Sequence, residues 1–175
     1  MIKIKDLIKE NKAQYEIYCD MDSVLTDYDS AFVKIADVKT RDGWEYKAKF
    51  GKKKFYDIIR QEGLDFWTEM PWMPDGKKLW KYLQSVADKI YVLSAPASNM
   101  DSELCKTGKM IWCKRNLGPY VQVILEENKY KYAAPNHILI DDLDKNIVPW
   151  RHHGGIAIQH TSADDTIKKL KALGL

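Results

Sequence analysis

The chain of 175 residues carries 28 basic against 25 acidic side chains, a formal charge of +3, and is 45% hydrophobic and 30% charged. This is globular rather than disordered composition, long enough for one domain with a proper core and a small insertion but too short for two large domains. The charge is too mild to argue for nucleic-acid binding by itself, although it suits an anionic substrate, and no apolar run is long enough to suggest a membrane span.

The N-terminal segment MIKIKDLIKENKAQ is charged throughout and lacks the apolar stretch of a signal peptide. Residues 15–20 read as a short buried strand ending on an acid. Cys19, inside that apolar run, reads as packing. With Cys105 and Cys113 it forms no C-x-x-C pair, which argues against a disulfide framework and for a reducing, cytoplasmic location. Residues 29–73 contain no clear strand, are rich in lysine and aromatics, and are broken at Gly43, Gly51 and Gly63. They are expected to form a small helical cap over the strand ends. The core is then expected from residues 1–28 and 74–175. A helix begins near Pro74–Asp75, with Leu79, Leu83 and Val86 at helical spacing, and KIYVLS (Lys89–Ser94) follows as a strand. Ile111, Trp112 and Leu117 sit in another helix, ended by Gly118–Pro119. Strands at 121–125, 137–141 and 155–159 follow, then a closing helix with a capping-box-like start at Ser162–Asp165. This alternation predicts an α/β fold with a Rossmann-like parallel sheet flanked by helices. In such sheets the ligand site lies beyond the carboxyl ends of the strands, where Asp20, Ser94 and Asp141–Asp142 collect.

Asp20-Met21-Asp22-Ser23-Val24 places two carboxylates just past a strand end, where both can face a cation and a phosphate. A calcium-binding EF-hand loop is excluded, because Val24 stands where an oxygen ligand is needed. Ser94, at a strand end beside backbone N–H groups, can hold a phosphate oxygen. Lys109, read as lying near the start of a helix, is otherwise a solvated surface lysine. Two adjacent acids, Asp141 and Asp142, at a buried strand end are costly unless a cation or donors compensate. Oxygen-only ligands point to magnesium. His137, His152, His153 and His160 match no zinc spacing.

The order of these motifs resembles the haloacid dehalogenase superfamily of phosphatases and, within it, the 5'(3')-deoxyribonucleotidases. The resemblance spans residues 15–144 and is carried by DMDSVLTDY, FWTEMPWMPDG, VLSAP, KMIWCKRNLGP and ILIDD. It implies that Asp20 is the nucleophile and a ligand of Mg2+, and that Asp22 is the general acid and base, binding the metal through its carbonyl. It further implies that Ser94, with Ala95 after it, and Lys109 hold the phosphoryl group, and that Asp141 and Asp142 complete the metal site. Tyr28, Trp44, Phe66 and Trp67 fall where the family places aromatics around a nucleobase. The chain departs from the family at Ala95, where a hydroxyl residue is usual, and at Ser98, where a lysine is usual. The expected partner is a small nucleotide, without membrane or stable nucleic-acid complexes, and the resemblance allows a homodimer. Two alternatives stay open: a sugar-phosphate phosphatase of the same superfamily, or a nucleic-acid-end processing module suggested by Lys52-Lys53-Lys54.

Overall fold

The computed structural model describes residues 15–97 and 102–175, so segment 1–14 and Ser98 lie outside the described residues. Strands β1 (Glu16–Cys19), β2 (Lys89–Ser94), β3 (Gln122–Leu125), β4 (His137–Asp141) and β5 (Ile156–Gln159) form one five-stranded sheet in the order β3-β2-β1-β4-β5. Every neighbouring pair is parallel. The architecture is therefore the α/β Rossmann-like sheet read from the sequence, with strand bounds a residue or so shorter at 15–20, 121–125 and 155–159.

Period-two alternation sends successive strand residues to opposite faces. Ile17 and Cys19 enter one core with Val92, Ile138, Ile140 and Ile158, whereas Tyr18, Leu93 and Leu139 enter the other. The first face is covered by α4 (Gly76–Val86), α5 (Ser102–Leu117) and α7 (Ala163–Ala172), through Leu79, Leu83, Trp112 and Leu170. The second is covered by α6 (Asp144–His152), through Ile147 and Trp150. Burial on both faces explains why these strands are continuously apolar. Cys19, Cys105 and Cys113 are buried and unbridged, and burial pushes the Cys19 thiol well above its ordinary pKa.

The acids at two helix starts do not close capping boxes. Ser162 caps α7 by accepting from the Asp165 N–H at 3.2 Å, but the Asp165 carboxylate turns to Thr161 and Lys169 instead of closing a capping box. Asp75 precedes α4 without capping it and accepts instead from the Ala163 N–H at 2.6 Å, which ties α4 to α7.

Between β1 and α4 the chain forms α1 (Tyr28–Ile35), α2 (Gly43–Glu62) and α3 (Leu64–Thr68). Asp27 caps α1 through the Ser30 N–H, and Asp42 caps α2 through the Glu45 N–H. Gly51, at φ 84°, bends α2 midway, and Gly63, at φ 64°, separates α2 from α3; such left-handed backbone favours glycine. Both ends of the insertion are clamped together. The Asp27 N–H donates to the Pro71 carbonyl and the Met73 N–H to the Leu25 carbonyl, each at 2.8 Å. The inserted helices also seat closely on the core: a Cβ at Gly108 of α5 would lie 2.3 Å from Trp67 Cβ of α3.

Candidate active site

Strand order reverses at β1, and the open end of the crevice there is acidic. Register pairs Cys19 with Ile140, and the Asp20 N–H donates to the Ile140 carbonyl at 2.8 Å, so Asp20 and Asp141 leave the sheet side by side. Both are buried, at 5% and 0% exposure. Asp20 Oδ1 accepts from the Met21 N–H at 2.7 Å. Asp141 is held by the Leu143 N–H at 2.9 Å and by Asn146 Nδ2 at 3.0 Å. Asp142 follows at the strand end, and carboxylate oxygens of Asp20, Asp141 and Asp142 lie within 4.8 Å of one another. Burial, countered by Lys129 but reinforced by Asp141 and Asp22, pushes Asp20 up to about 7. Burial and then the Asp141 charge push Asp142 up to about 6. Three converging, mutually repelling carboxylates with oxygen-only donors fit a hard divalent cation such as Mg2+.

Asp22 faces a second buried cation. Lys109 Nζ donates to Asp22 Oδ2 at 2.7 Å, to Ser94 Oγ at 2.9 Å and to the Ala95 carbonyl at 2.9 Å. Burial opposes the Lys109 charge most strongly, but Asp22, Cys105 and Asp20 together outweigh it and hold the pKa above the ordinary lysine value. Lys109 is 1% exposed and lies midway along α5, which begins at Ser102, not near a helix start as read from the sequence. Its ammonium reaches the end of β2 at Ser94, while the preceding Gly108 packs against Trp67 of α3. Ser23, at φ 62°, turns the backbone between Asp22 and the buried Thr26, whose hydroxyl lies 3.3 Å from Asp22 Oδ1.

Lys129 was not anticipated. It opens the 3-10 turn Lys129–Tyr132 after β3, is 2% exposed, and bridges Asp20 Oδ1 at 2.8 Å and Asp141 Oδ2 at 2.6 Å. In sequence it stands in EENKYKY, which reads as a solvated polar turn. The available signal was position alone: it follows a strand, β3, whose end lies on the same sheet edge as Asp20 and Asp141.

These groups floor a cavity of 280 Å3 that also takes in the inserted helices. Asp20, Asp22, Ser94, Ala95, Lys109, Lys129 and Asp142 line its deep end, while Tyr28, Trp44, Tyr56 and Trp67 form an aromatic wall. Trp44 is 70% exposed at the rim, and Tyr56 was absent from the expected set. Phe66 departs from expectation. It is buried, stands edge-on to Tyr28 and Trp67, and lines a separate cavity with Ala31 and Pro71. Adjacent helix positions point about 100° apart, so Phe66 and Trp67 cannot both face one ligand.

No protein-family model matches the sequence, and no curated protein matches it significantly. Solved structures do. A HAD-superfamily hydrolase of subfamily IA from Geobacter sulfurreducens superposes with a TM-score of 0.58 at 10% identity, covering 91% of this chain and 98% of the other. A hydrolase from Streptococcus pneumoniae gives 0.57 at 12%, covering 90% and 99%. A magnesium complex of a HAD-family enzyme from Bacteroides thetaiotaomicron gives 0.51 at 14%, covering 91% and 100%. The fold is that of the haloacid dehalogenase superfamily. Because one fold hosts many chemistries, the activity has to be argued from the site.

Proposed function

We propose that this protein is a magnesium-dependent phosphomonoesterase acting on nucleoside monophosphates through an aspartyl-phosphate on Asp20. One observation carries the reading: a single cavity has carboxylates and two buried lysines at its deep end and aromatic rings along its outer wall. The haloacid dehalogenase fold and the magnesium bound by a similar enzyme agree with it. Residues 28–68 act as the cap that carries the aromatic wall.

Asp20, Asp141 and Asp142 would hold the metal, together with the Asp22 carbonyl expected from the resemblance. When bound, the ion supplies the positive charge that lets a phosphate dianion approach a carboxylate. Oδ1 of Asp20 is engaged by Met21 and Lys129, which leaves Oδ2 to attack phosphorus. The P–O bond to the leaving sugar oxygen breaks as the Asp20–phosphorus bond forms, and Asp22 gives that oxygen a proton. Asp22 then takes a proton from water as the water attacks phosphorus, releasing phosphate and restoring Asp20. Lys109, Lys129 and the Ser94 hydroxyl stabilise negative charge on the phosphoryl oxygens. Burial of Lys109, Lys129 and Ser94 strengthens their contacts.

The test is a magnesium-dependent screen of ribo- and deoxyribonucleoside 5'- and 3'-monophosphates alongside ribose 5-phosphate. Higher kcat/KM for nucleotides than for ribose 5-phosphate is expected. Equal or better turnover of the bare sugar phosphate would transfer the reading to a sugar-phosphate phosphatase.

A further inference from the structure

The chemistry above gives Thr26 no part, yet this threonine is wholly buried beside Asp22. Its hydroxyl has two acceptors in reach, the Met21 carbonyl at 3.2 Å and Asp22 Oδ1 at 3.3 Å. A hydroxyl has a single proton to give, so the two compete for it. The Met21 carbonyl already accepts from the backbone N–H groups of Leu25 and Thr26, each at 2.8 Å, and these occupy its lone pairs. Asp22 Oδ1 has no other donor among the described residues. A hydrogen bond to a carboxylate is also roughly twice as strong as one between neutral groups. The hydroxyl proton therefore goes to Asp22.

Each oxygen of Asp22 then has one donor: Lys109 Nζ at Oδ2, 2.7 Å away, and Thr26 Oγ1 at Oδ1. Held by Lys109 alone, the carboxylate could swing about that one contact. Two donors fix its plane. The second donor stands on a rigid mount. Across the turn, the Ser23 N–H donates to the Thr26 carbonyl at 2.8 Å, and Thr26 pairs with Trp72 in an antiparallel bridge. The residues on either side of it, Leu25 and Asp27, are the ones clamped to Met73 and Pro71. Branching at Cβ further restricts the directions in which the hydroxyl can point. Thr26 does not line the cavity, so it acts through Asp22 and not on the substrate.

We infer that Thr26 is a positioning residue for the general acid and base: its hydroxyl fixes the plane of the Asp22 carboxylate, and so the point at which a proton reaches the leaving oxygen. Misplacing a reacting group by about 1 Å costs on the order of 10²-fold in rate, which is the scale such a support protects. The inference rests on the phosphomonoesterase reading above and deepens it.

Leaving-group dependence separates this role from a merely structural one. A sugar oxygen needs a proton as it departs, whereas 4-nitrophenolate leaves without one. The experiment measures phosphoryl transfer by rapid quench, with magnesium-loaded enzyme in excess over UMP or over 4-nitrophenyl phosphate. It uses wild type, Thr26→Val, Thr26→Ala and Thr26→Ser. Thr26→Val keeps the branched shape and drops the hydroxyl. It is expected to slow transfer from UMP by about tenfold or more, and from 4-nitrophenyl phosphate by less than about twofold. Thr26→Ala should show the same split and decides the matter if the valine variant does not fold. Thr26→Ser returns the hydroxyl and should bring the two rates back towards their wild-type ratio. The ratio is read within each variant, so a smaller folded fraction does not mimic the result. Equal losses on both substrates, a wild-type ratio in the variants without the hydroxyl, or a split that persists in Thr26→Ser overturns the role of Thr26 and leaves the phosphatase reading standing. Wild type that takes phosphate from neither substrate overturns both.

Discussion

The floor and the wall of the cavity are built by different physics. At the floor, Asp20, Asp141, Lys109 and Lys129 are at most 5% exposed, and buried ionic contacts hold them at strand ends whose register is set by the sheet. At the wall, Tyr28, Trp44, Tyr56 and Trp67 belong to the inserted helices; Tyr28, Tyr56 and Trp67 are held by ring packing, whereas Trp44 is 70% exposed. A floor of this kind tolerates almost no change in charge, whereas a wall of this kind can be retuned. On the proposed function, reaction type therefore belongs to the floor and substrate choice to the wall.

The sharpest way to break that division is Asp20→Asn. It keeps the shape of the side chain but removes the carboxylate proposed to attack, and should lower kcat by about 10³-fold or more, roughly 4 kcal/mol of barrier. Steady-state assays with saturating magnesium check this. Next comes Lys129→Met, which leaves Asp20 and Asp141 facing each other without their shared counterion. Breaking a buried pair from one side costs about 3–5 kcal/mol. A lower Tm in chelator, partly restored by Mg2+, is expected. A Tm equal to wild type in chelator would mean that Lys129 is not the bridge described.

The seam between floor and wall can be tested at Gly108→Ala. The added methyl must displace α5 from Trp67, for about 1–3 kcal/mol of stability, with Lys109 moved off Ser94 and activity reduced accordingly. On the wall itself, Trp67→Ala should raise KM for nucleotides by about tenfold, since stacking is worth roughly 1–3 kcal/mol per base, and should affect ribose 5-phosphate much less.

The smallest effect concerns pH. Asp20 and Asp142 are raised to about 7 and about 6 in the folded protein. The fold therefore holds these protons more tightly than the unfolded chain does, so without metal the protein loses stability as pH rises from the ordinary carboxylate range through those values. Metal binding needs both groups deprotonated, so Mg2+ affinity is present above about 7 and falls as the pH drops through that range. The gap in Tm between magnesium and chelator should thus widen from pH 5.5 to 8. A gap independent of pH would place the ion elsewhere.

The same contrast governs what the sequence could reveal. The floor's polar strand-end residues were legible because each ends an apolar run: YEIYC before Asp20, KIYVL before Ser94, HILI before Asp141. A strand end is a local property, and parallel order then gathers such ends at one edge. Lys129 was missed because its burial comes from β3 lying two strands away from β1, which nothing within EENKYKY encodes. Lys109 was found as a residue but misplaced along its helix. Ahead of Met110 the helix offers only Leu104 and Cys105 as apolar residues, a weak signal for its start, and it packs closely at Gly108. On the wall, helical character and the breaks at Gly43, Gly51 and Gly63 were readable. The direction of each ring was not, and so Phe66 and Trp67 both read as pocket residues, whereas only Trp67 of the two lines the cavity.

Phosphoryl capture tests the central claim most directly. Acid quench of the magnesium-loaded enzyme during turnover of a nucleoside monophosphate, followed by peptide mapping, should find a hydroxylamine-sensitive phosphate on Asp20, absent from Asp20→Asn. Phosphate on another residue, or full turnover by wild type with no phosphorylated enzyme formed at any time, would contradict the account.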